Sequence, residues 1–296
     1  MKADGMAVVE SRAKLNLFLE VPRKRGDGYH DVETLMREIG LADRLACRPR
    51  DDDAITLETS HPGLARDADN TVLRAARLLR DECGARGGLH FRLKKTIPLG
   101  GGLGGGSSNG AAALRLADQA FGTGLSDSDL ASLAARLGSD MPFFVRGGLA
   151  LAEGRGERLT ALDPPPASFP LTLFLSAIHS DTARAYAGLR LPGPGNARTH
   201  RECLEALGAG DMAALDQAAF NRFEETVFPA FPELDRLRDA LEAVTGRRIH
   251  LAGSGAALWS VGRADAVRPA IDANPALQSL RKSIGLRVVE TCFAVG

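Results

Sequence analysis

The segment from Lys94 to Ala113, KKTIPLGGGLGGGSSNGAAA, carries the residue types best suited to chemistry. Six glycines lie between Gly100 and Gly106, interrupted by one leucine, and two serines follow them. Glycine loses so much backbone entropy on folding that such a run predicts a loop rather than a helix or strand interior. The apolar spacing from Ser107 to Phe121 then predicts a helix, with Ser107, Ser108 or Asn109 suited to its N-cap. Bare amides at the positive end of a helix dipole favour an anion, above all phosphate.

Two well-known phosphate loops can be compared with this segment. Gly100, Gly102 and Gly105 satisfy the dinucleotide fingerprint G-x-G-x-x-G, but in so glycine-rich a run the match is weak. The dinucleotide fold also places a strand ending in an acid after the loop helix, whereas Ser126 to Leu137 predicts a second helix. A Walker A loop ends in Gly-Lys-Ser/Thr, and here Ser-Ser-Asn follows Gly106. A flexible linker is the structural alternative, which the predicted strand and alanine-rich helix on either side disfavour.

The composition is that of a globular protein without a strong charge of either sign. The 296 residues include 37 Lys and Arg and 37 Asp and Glu, giving a formal net charge of +0. This balance removes the electrostatic argument for binding nucleic acid or a membrane surface. No apolar run is long enough to span a bilayer and the N-terminus lacks a signal-peptide core, so we expect a cytoplasmic protein. Four scattered cysteines and six dispersed histidines predict neither a disulfide framework nor a zinc site.

Strands early in the chain can position polar side chains near the loop. Alternation from Ala13 to Val21 predicts a strand with Lys14 and Asn16 on one face. Residues 31–48 predict two short strands, although the spacing from Val32 to Ile39 also fits a helix.

The residues immediately before the loop predict a helix and then a strand. The helix runs from Asp69 to Asp81, with Asp69 or Asn70 suited to its N-cap. Leu89 to Lys95 alternates and predicts a strand that leads straight into the glycines. The loop therefore joins a strand to a helix.

The strongest linker signal is Pro164-Pro165-Pro166. It predicts two domains, residues 1–163 and 164–296, divided near Asp163. Neutral charge and the lack of a coiled-coil pattern leave monomer and homodimer both open.

A resemblance to a known family rests on several stretches. Residues 98–112, PLGGGLGGGSSNGAA, resemble the P-x-x-x-G-L-G-S-S-A-A phosphate loop of the GHMP kinases. The triple glycine before the serines is similar to the branch that phosphorylates a cytidine-diphosphate ester of a methyl tetritol. Other stretches resemble this branch in the expected order, over nearly the whole chain: AKLNLFLEVPRKRGDGYHDVETL at Ala13 to Leu35, DNTVLRAARLL at Asp69 to Leu79, LGSDMPFFVRGGLALAEGRGERL at Leu137 to Leu159, NRFEETVFPAFPEL at Asn221 to Leu234, and AGSGAALWSV at Ala252 to Val261. Departures at Asn109-Gly110 and at Ala256 to Trp259 touch no residue implied to be catalytic.

The resemblance implies an α+β, two-domain GHMP-kinase architecture. An N-terminal ribosomal-protein-S5-like domain would bind the nucleotide, and a C-terminal ferredoxin-like domain would follow, with the active site between them. The implied reaction transfers the γ-phosphoryl group of ATP, with Mg²⁺, to the 2-hydroxyl of 4-CDP-2-C-methyl-D-erythritol (CDP-methylerythritol) in non-mevalonate isoprenoid biosynthesis. Two alternatives stay open: a GHMP kinase for a homoserine- or mevalonate-type alcohol, and a non-catalytic nucleotide-binding regulator.

Two residues are implied to be catalytic. Phosphoryl transfer needs positioned phosphates, charge neutralisation and a base or orienting group for the attacking hydroxyl. The resemblance implies Asp140 as the base, and Lys14 as the cation that keeps it ionised and stabilises the reacting oxygens. From the residues alone, a turn or helix-cap aspartate and a solvent-facing strand lysine are the preferred explanations. The family match reverses both preferences.

The resemblance implies nucleotide contacts in the loop and at two residues outside it. The loop residues are Pro98, Leu99, Gly100, Gly101, Gly102, Leu103, Gly104, Gly105, Gly106, Ser107 and Ser108. Ser108 is also the candidate contact to Mg²⁺. Lys95 and Asn70 match positions near the adenosine, and their ordinary alternatives are a strand-end lysine and an N-cap asparagine.

Aromatic rings are implied at the acceptor, because stacking and edge hydrogen bonds hold a pyrimidine well. Tyr29 and Tyr186 match the aromatics that sandwich cytosine, with His30 beside the first; ordinary half-buried tyrosines are the alternative. Two further residues match polar contacts to the acceptor, Asn16 and Thr182. The turn at residues 253–255, Gly-Ser-Gly, is expected to close the site, with a plain β-turn as the alternative.

Overall fold

The computed structural model describes residues 2–3, 5–64, 69–163, 168–193 and 197–294. The chain forms two compact units, each built from separated stretches of sequence. The first comprises Met1–Ala13, Leu41–Ile97 and Gly104–Gly147, and the second comprises Lys14–Gly40, Pro98–Leu103 and Gly148–Gly296. The boundary predicted near Asp163 stays a prediction, because Pro164, Pro165 and Pro166 lie outside the described residues.

Strand β1 (Lys2–Ala3) is followed by two long strands, β2 (Met6–Lys24) and β3 (His30–Arg50), that run through both units. Strands β4 (Ile55–Thr59) and β5 (Gly88–Lys94) join them in the first unit, in the order β1-β2-β3-β5-β4. β5 pairs antiparallel with β3 and parallel with β4. The strand conformation predicted for residues 31–48 is confirmed, but β3 is one continuous strand rather than two, and the helix alternative was wrong.

The described helices of the first unit are α1 (Thr71–Cys83), α2 (Gly105–Phe121), α3 (Asp127–Ala135) and α4 (Met141–Arg146). α1 packs against α2, and α4 packs against both α2 and α3. α1 buries the apolar stripe that its spacing predicts: Val72, Leu73, Ala75, Ala76 and Leu79. This packing holds the helix that begins at the glycine loop against the rest of the unit.

Helix α2 begins two residues before its predicted start, so Ser107, Ser108 and Asn109 were wrong as N-caps. The N-cap is Gly104, whose φ of 70° lies in the left-handed region that glycine adopts without a Cβ clash. Ser108 and Asn109 are each 3% exposed, and their side chains form hydrogen bonds inside the first unit. The helix therefore opens with bare backbone and no side-chain cap.

The second unit adds strands to β2 and β3 and forms a sheet of its own. β6 (Leu149–Gly154) pairs antiparallel with β3, β7 (Arg158–Leu162) with β6, and β9 (Phe220–Asn221) pairs parallel with β2. The separate sheet consists of β8 (Pro170–Leu175), β10 (His250–Leu251), β11 (Leu258–Val261) and β12 (Arg287–Cys292), in the order β10-β11-β8-β12. β8 is an inner strand that pairs antiparallel with β11 and β12, and Leu171 to Leu175 are all buried.

The described helices of the second unit are α5 (Thr182–Ala187), α6 (Arg201–Ala209), α7 (Met212–Ala218), α8 (Glu224–Ala230), α9 (Pro232–Thr245), α10 (Arg268–Ala273) and α11 (Pro275–Ile284). The core of this unit includes Leu234, Leu237 and Leu241 of α9 together with Phe174 of β8 and Leu258 of β11. None of the described helices combines the length and the apolar character needed to cross a membrane.

Candidate active site

The first half of the glycine loop, Pro98–Leu103, belongs to the second unit. There it lies against a second glycine turn, residues 253–255, which is called the Gly253 turn below. A Cβ on Gly102 would lie 1.7 Å from the carbonyl oxygen of Ala252, and one on Gly255 would lie 1.9 Å from the nitrogen of Gly102. The nitrogen of Ala257 donates to the carbonyl of Gly101 at 3.2 Å. Only residues without side chains allow two backbones to approach so closely.

Asn221 holds this second turn in place. Its side-chain nitrogen donates to the carbonyls of Leu251 at 2.9 Å and Gly253 at 2.7 Å, and its oxygen accepts from the nitrogen of Phe223. Because Asn221 is 3% exposed and bonds through both ends of its amide, it fixes the backbone of the turn.

An ion pair next to Asn221 holds β9 against β2. Arg222 donates to both carboxylate oxygens of Glu20, each at 2.7 Å. Burial opposes ionisation of Glu20, but hydrogen bonds from Arg222 and from the backbone of Val21 and Arg198 lower its pKa below the ordinary value. The buried carboxylate therefore stays charged and keeps Arg222 in place beside Asn221.

Lys14 is buried in the second unit rather than facing solvent. It is 4% exposed, and its ammonium donates to the side-chain oxygen of Asn16 at 2.5 Å. The nitrogen of Asn16 donates in turn to the hydroxyl of Thr34 at 2.7 Å. A Cβ on Gly253 would lie 3.3 Å from the Lys14 ammonium, and the backbone of Lys14 donates to the carbonyl of Leu103. Lys14, the first half of the glycine loop and the Gly253 turn therefore meet in one place within the second unit.

The start of α2 is exposed to an approaching ligand in the first unit. Gly106 is exposed and Ser107 is half-buried, and the first turn contains neither an acidic residue nor a side-chain cap. A Cβ on Gly105 would lie 2.9 Å from the ammonium of Lys95. A buried cation thus lies beside the positive end of a helix, which favours an anion there.

Lys95 is paired with a carboxylate that sequence reasoning missed. The Lys95 ammonium donates to Asp43 at 2.5 Å, and the two side chains are 2% and 0% exposed. Burial lowers the pKa of Lys95 below its ordinary value, while the charge and hydrogen bond of Asp43 act in the opposite direction. Lys95 is therefore a buried ion-pair partner, not an exposed lysine at the end of a strand.

The two remaining first-unit candidates differ in how their side chains are used. Asn70 caps α1, because its side-chain oxygen accepts from the nitrogen of Val72 at 2.9 Å. Asp140 occupies the N-cap position of α4, but its side chain makes no cap hydrogen bond. The cap that the sequence alone favours for Asp140 is therefore absent.

The residues implied at the acceptor lie in the second unit, in different surroundings. The rings of His30 and Tyr186 are stacked, with centroids 5.1 Å apart, and Phe223 contacts Tyr186 edge-on at 4.7 Å. Tyr29 is 56% exposed, with the guanidinium of Arg155 5.0 Å from its ring centre. Burial and, less strongly, the charge of Lys24 lower the pKa of His30, so the ring is neutral at neutral pH.

Thr182 is placed by a contact with the second glycine turn. Its hydroxyl lies 2.8 Å from that of Ser254. The Gly253 turn therefore meets both Lys14, predicted to be catalytic, and Thr182, predicted to contact the acceptor.

Comparison with known proteins identifies the family. Residues 70–148 match the family described as GHMP kinases N terminal domain. The 4-diphosphocytidyl-2-C-methyl-D-erythritol kinase of Symbiobacterium thermophilum is 38% identical over 256 residues, which are 86% of this chain and 89% of the relative. That of Pelotomaculum thermopropionicum is 39% identical over 252 residues, 85% of this chain and 87% of the relative. The chain belongs to the 4-diphosphocytidyl-2-C-methyl-D-erythritol kinase family.

Solved structures agree with this family membership. A crystal structure of 4-(cytidine 5'-diphospho)-2C-methyl-D-erythritol kinase matches with a TM-score of 0.78 and 33% identity, over 98% of this chain and 100% of that chain. A homoserine kinase from Cytophaga hutchinsonii has a TM-score of 0.74 at 18% identity, over 100% of this chain and 96% of that chain, so it shows the fold alone. The α+β GHMP-kinase fold expected from the sequence is confirmed. The active site expected between two domains stays a prediction.

The residues predicted to form the kinase site fall into two sets, one in each unit. Residues of the second unit form one set: Lys14, Asn16, Pro98 to Leu103, Thr182 and residues 253–255, with His30 stacked on Tyr186. The first unit contains Asn70, Lys95, Gly104 to Ser108 and Asp140. The assignment of these residues to catalysis and binding stays a prediction.

Sequence reasoning missed several residues that support this kinase site. Thr34 bonds to Asn16, Asn221 holds the Gly253 turn, and Asp43 pairs with Lys95. Asp43 lies in GLADRLACR, where an acid among apolar residues could have signalled a buried charge. His179, whose ring lies 2.0 Å from a Cβ placed on Gly100, gives no such signal.

Proposed function

We propose that the protein transfers the γ-phosphoryl group of ATP to the 2-hydroxyl of 4-CDP-2-C-methyl-D-erythritol, releasing ADP. The observation that carries the proposal is the similarity to two kinases named for this substrate, each covering more than four-fifths of both chains. The residues support it, since a glycine loop, an uncapped helix and two buried lysines are suited to phosphates. The product would serve non-mevalonate isoprenoid synthesis.

For the nucleotide, we propose that the amides of Gly100 to Ser108 hold the phosphates. The support is geometric, because Gly100, Gly102 and Gly104 have positive φ, a conformation that glycine adopts readily and that occurs where successive amides form an anion-binding concavity. Lys95 adds a positive charge beside Gly105, and Asn70 is proposed near the adenosine while its oxygen caps α1.

Mg²⁺ is proposed to arrive with the nucleotide. Among the described residues, no three His, Cys, Asp or Glu side chains form a group that could hold a metal ion. This donor set fits a cation held mostly by phosphate oxygens and water, as Mg²⁺ commonly is. Ser108 is the proposed protein contact, although its hydroxyl already lies 2.8 Å from that of Ser11. When bound, Mg²⁺ neutralises charge on the phosphates.

For the acceptor, we propose that Asp140 accepts or orients the hydroxyl proton and that Lys14 stabilises the reacting oxygens. The position of Asp140, half-buried at the N-terminus of α4, suits that role. Asn16 and Thr182 would contact the tetritol. Tyr29, Tyr186 and His30 would hold the cytosine by stacking and an edge hydrogen bond.

A coupled assay of ADP release tests the proposal. We expect turnover with ATP and 4-CDP-2-C-methyl-D-erythritol, and none with homoserine or mevalonate in the same panel. Phosphate should appear on the 2-hydroxyl when the product is examined by phosphorus NMR. Turnover only with homoserine or mevalonate would replace the proposed acceptor, and nucleotide binding without transfer to any alcohol would indicate a regulator.

A further inference from the structure

A buried polar network lies beneath the start of α2. The carboxylate of Asp43 accepts from the Lys95 ammonium at 2.5 Å, from the backbone nitrogens of Thr96 at 2.6 Å and Ile97 at 2.8 Å, and from Asn109 at 2.9 Å. With 0% exposure, all four of its hydrogen bonds come from the protein. A fully bonded carboxylate of this kind has little freedom to move.

The network joins the residues just before the glycine loop to the helix that follows it. Lys95, Thr96 and Ile97 leave β5, while Asn109 lies in α2. The Asn109 nitrogen also donates to the hydroxyl of Ser11 at 2.8 Å, which lies 2.8 Å from the hydroxyl of Ser108. Asp43 is therefore bonded to residues on both sides of the loop.

The electrostatics explain why a carboxylate is needed here. The Lys95 ammonium lies beside Gly105, at the positive end of α2, where the first turn has no acidic side chain. A buried cation next to a helix N-terminus is repelled by it. Asp43 offsets that repulsion from inside the protein, while the exposed side at Gly106 stays accessible to an anion.

We propose that Asp43 is a positioning residue for the nucleotide. It holds the Lys95 ammonium and the first turn of α2 in the arrangement that the phosphates meet, and it does not itself touch them. The inference rests on the proposed function in one respect, that the bound anion is ATP. It predicts that Asp43 affects the affinity for the nucleotide and does not affect recognition of the acceptor.

The test uses three variants of the full chain: Asp43→Asn, Lys95→Met, and the two combined. Asp43→Asn would turn an amide nitrogen toward Lys95 or Asn109, whereas the double variant leaves neither charge buried without its partner. Lys94→Met is the matched control, because Lys94 is exposed and adjacent to Lys95. For each protein we would measure the thermal midpoint, the Kd for a non-hydrolysable ATP analogue by calorimetry, and the KM of both substrates.

We expect both single variants to unfold at lower temperature and the double variant to recover part of that loss. In all three, the Kd for the analogue should rise about tenfold or more, the loss expected from a charge-assisted hydrogen bond. The KM of the acceptor should stay near the wild-type value. Lys94→Met should change none of these quantities.

Wild-type Kd in the double variant would overturn the inference, since the ion pair would then serve stability alone. An equal rise in both KM values would also contradict it, by indicating general loosening of the fold. Binding of the analogue is measured without an acceptor, so failure of the proposed function can be distinguished from failure of this inference. If the proposed function fails, the wild type binds the analogue but does not phosphorylate 4-CDP-2-C-methyl-D-erythritol.

Discussion

Each unit buries a lysine, and the two ammonium groups lie in different surroundings. Lys95, in the first unit, donates to the carboxylate of Asp43. Lys14, in the second, donates to the amide oxygen of Asn16 and lies beside the Gly253 turn. Thr34 extends the second cluster with another neutral group.

This difference suggests different tasks for the two lysines. Lys95 lies beside the exposed first turn of α2, where an anion is favoured. Lys14 lies beside the Gly253 turn and donates to Asn16, which is proposed to contact the acceptor. We therefore expect Lys95 to act mainly on binding and Lys14 mainly on the chemical step.

The largest expected effect is at Asp140, the proposed partner of Lys14 in that step. Asp140→Asn should lower kcat about a thousandfold, within the range for a positioned general base, with KM for ATP little changed. The thermal midpoint is measured beside kcat, so that a loss of stability is distinguished from a loss of chemistry. Ser139→Ala, at the neighbouring position, is the control. Turnover at the wild-type rate would remove Asp140 from the mechanism.

The contrast between the lysines is tested most directly by Lys14→Met. We expect kcat to fall about a hundredfold, the cost of removing one group that stabilises developing charge. Combined with Asp140→Asn, the loss should be far smaller than the product of the two single losses, because in the proposed mechanism both residues serve the same step. Lys282→Met, at an exposed position of α11, is the control. A Lys14→Met variant that changes only KM for ATP would make the two lysines equivalent.

Substitution of two loop glycines distinguishes a residue needed for binding ATP, Gly106, from a residue needed for folding, Gly102. Gly106→Ala should leave the fold intact, since a Cβ there meets only the Thr71 hydroxyl at 3.9 Å, yet raise KM for ATP about tenfold by crowding the phosphates. Gly102→Ala should lower the free energy of unfolding by about 2 kcal/mol or more, because φ is +77° and Ala252 leaves no room. Thermal unfolding and ATP kinetics distinguish the two. Unchanged kinetics for Gly106→Ala would place the phosphates elsewhere.

The smallest expected effect concerns His30 and pH. Because burial and Lys24 lower the pKa of His30 below 6.5, the ring stays neutral from neutral to alkaline pH. The KM of the acceptor should be flat there and rise severalfold as acid protonates the ring. A lowered pKa also means that stability falls as pH drops below 6.5. His30→Gln should abolish the step in KM, and His61→Gln should retain it; a step retained without His30 would assign it to another group.

Much of the site could be predicted locally from the sequence. The strand–loop–helix order around Gly100 to Gly106 and the cap at Asn70 follow from glycine entropy, periodicity and capping preference. The departure at Asn109-Gly110 needed the structure. Asn109 bonds to Asp43, and a Cβ on Gly110 would lie 2.5 Å from Met141, so both residues suit their neighbours in this unit.

The other departure also depends on neighbours distant in sequence. Trp259 is fully buried in β11, and its ring lies 4.6 Å from that of His250 on the paired strand β10. A large ring fits there because the strands on either side set the space. Sequence spacing alone carries no information about that volume.

The sequence by itself determined the class of site: a glycine loop opening a helix, the residue types for phosphoryl transfer, and the family to which they belong. Those features depend on neighbouring residues and on motif spacing. Only the tertiary structure decided that Gly104 rather than a serine begins α2, that Lys14 is buried, and that Asp43 pairs with Lys95. Asp43 and Lys95 are far apart in the chain, and no local preference encodes which charges the fold brings together.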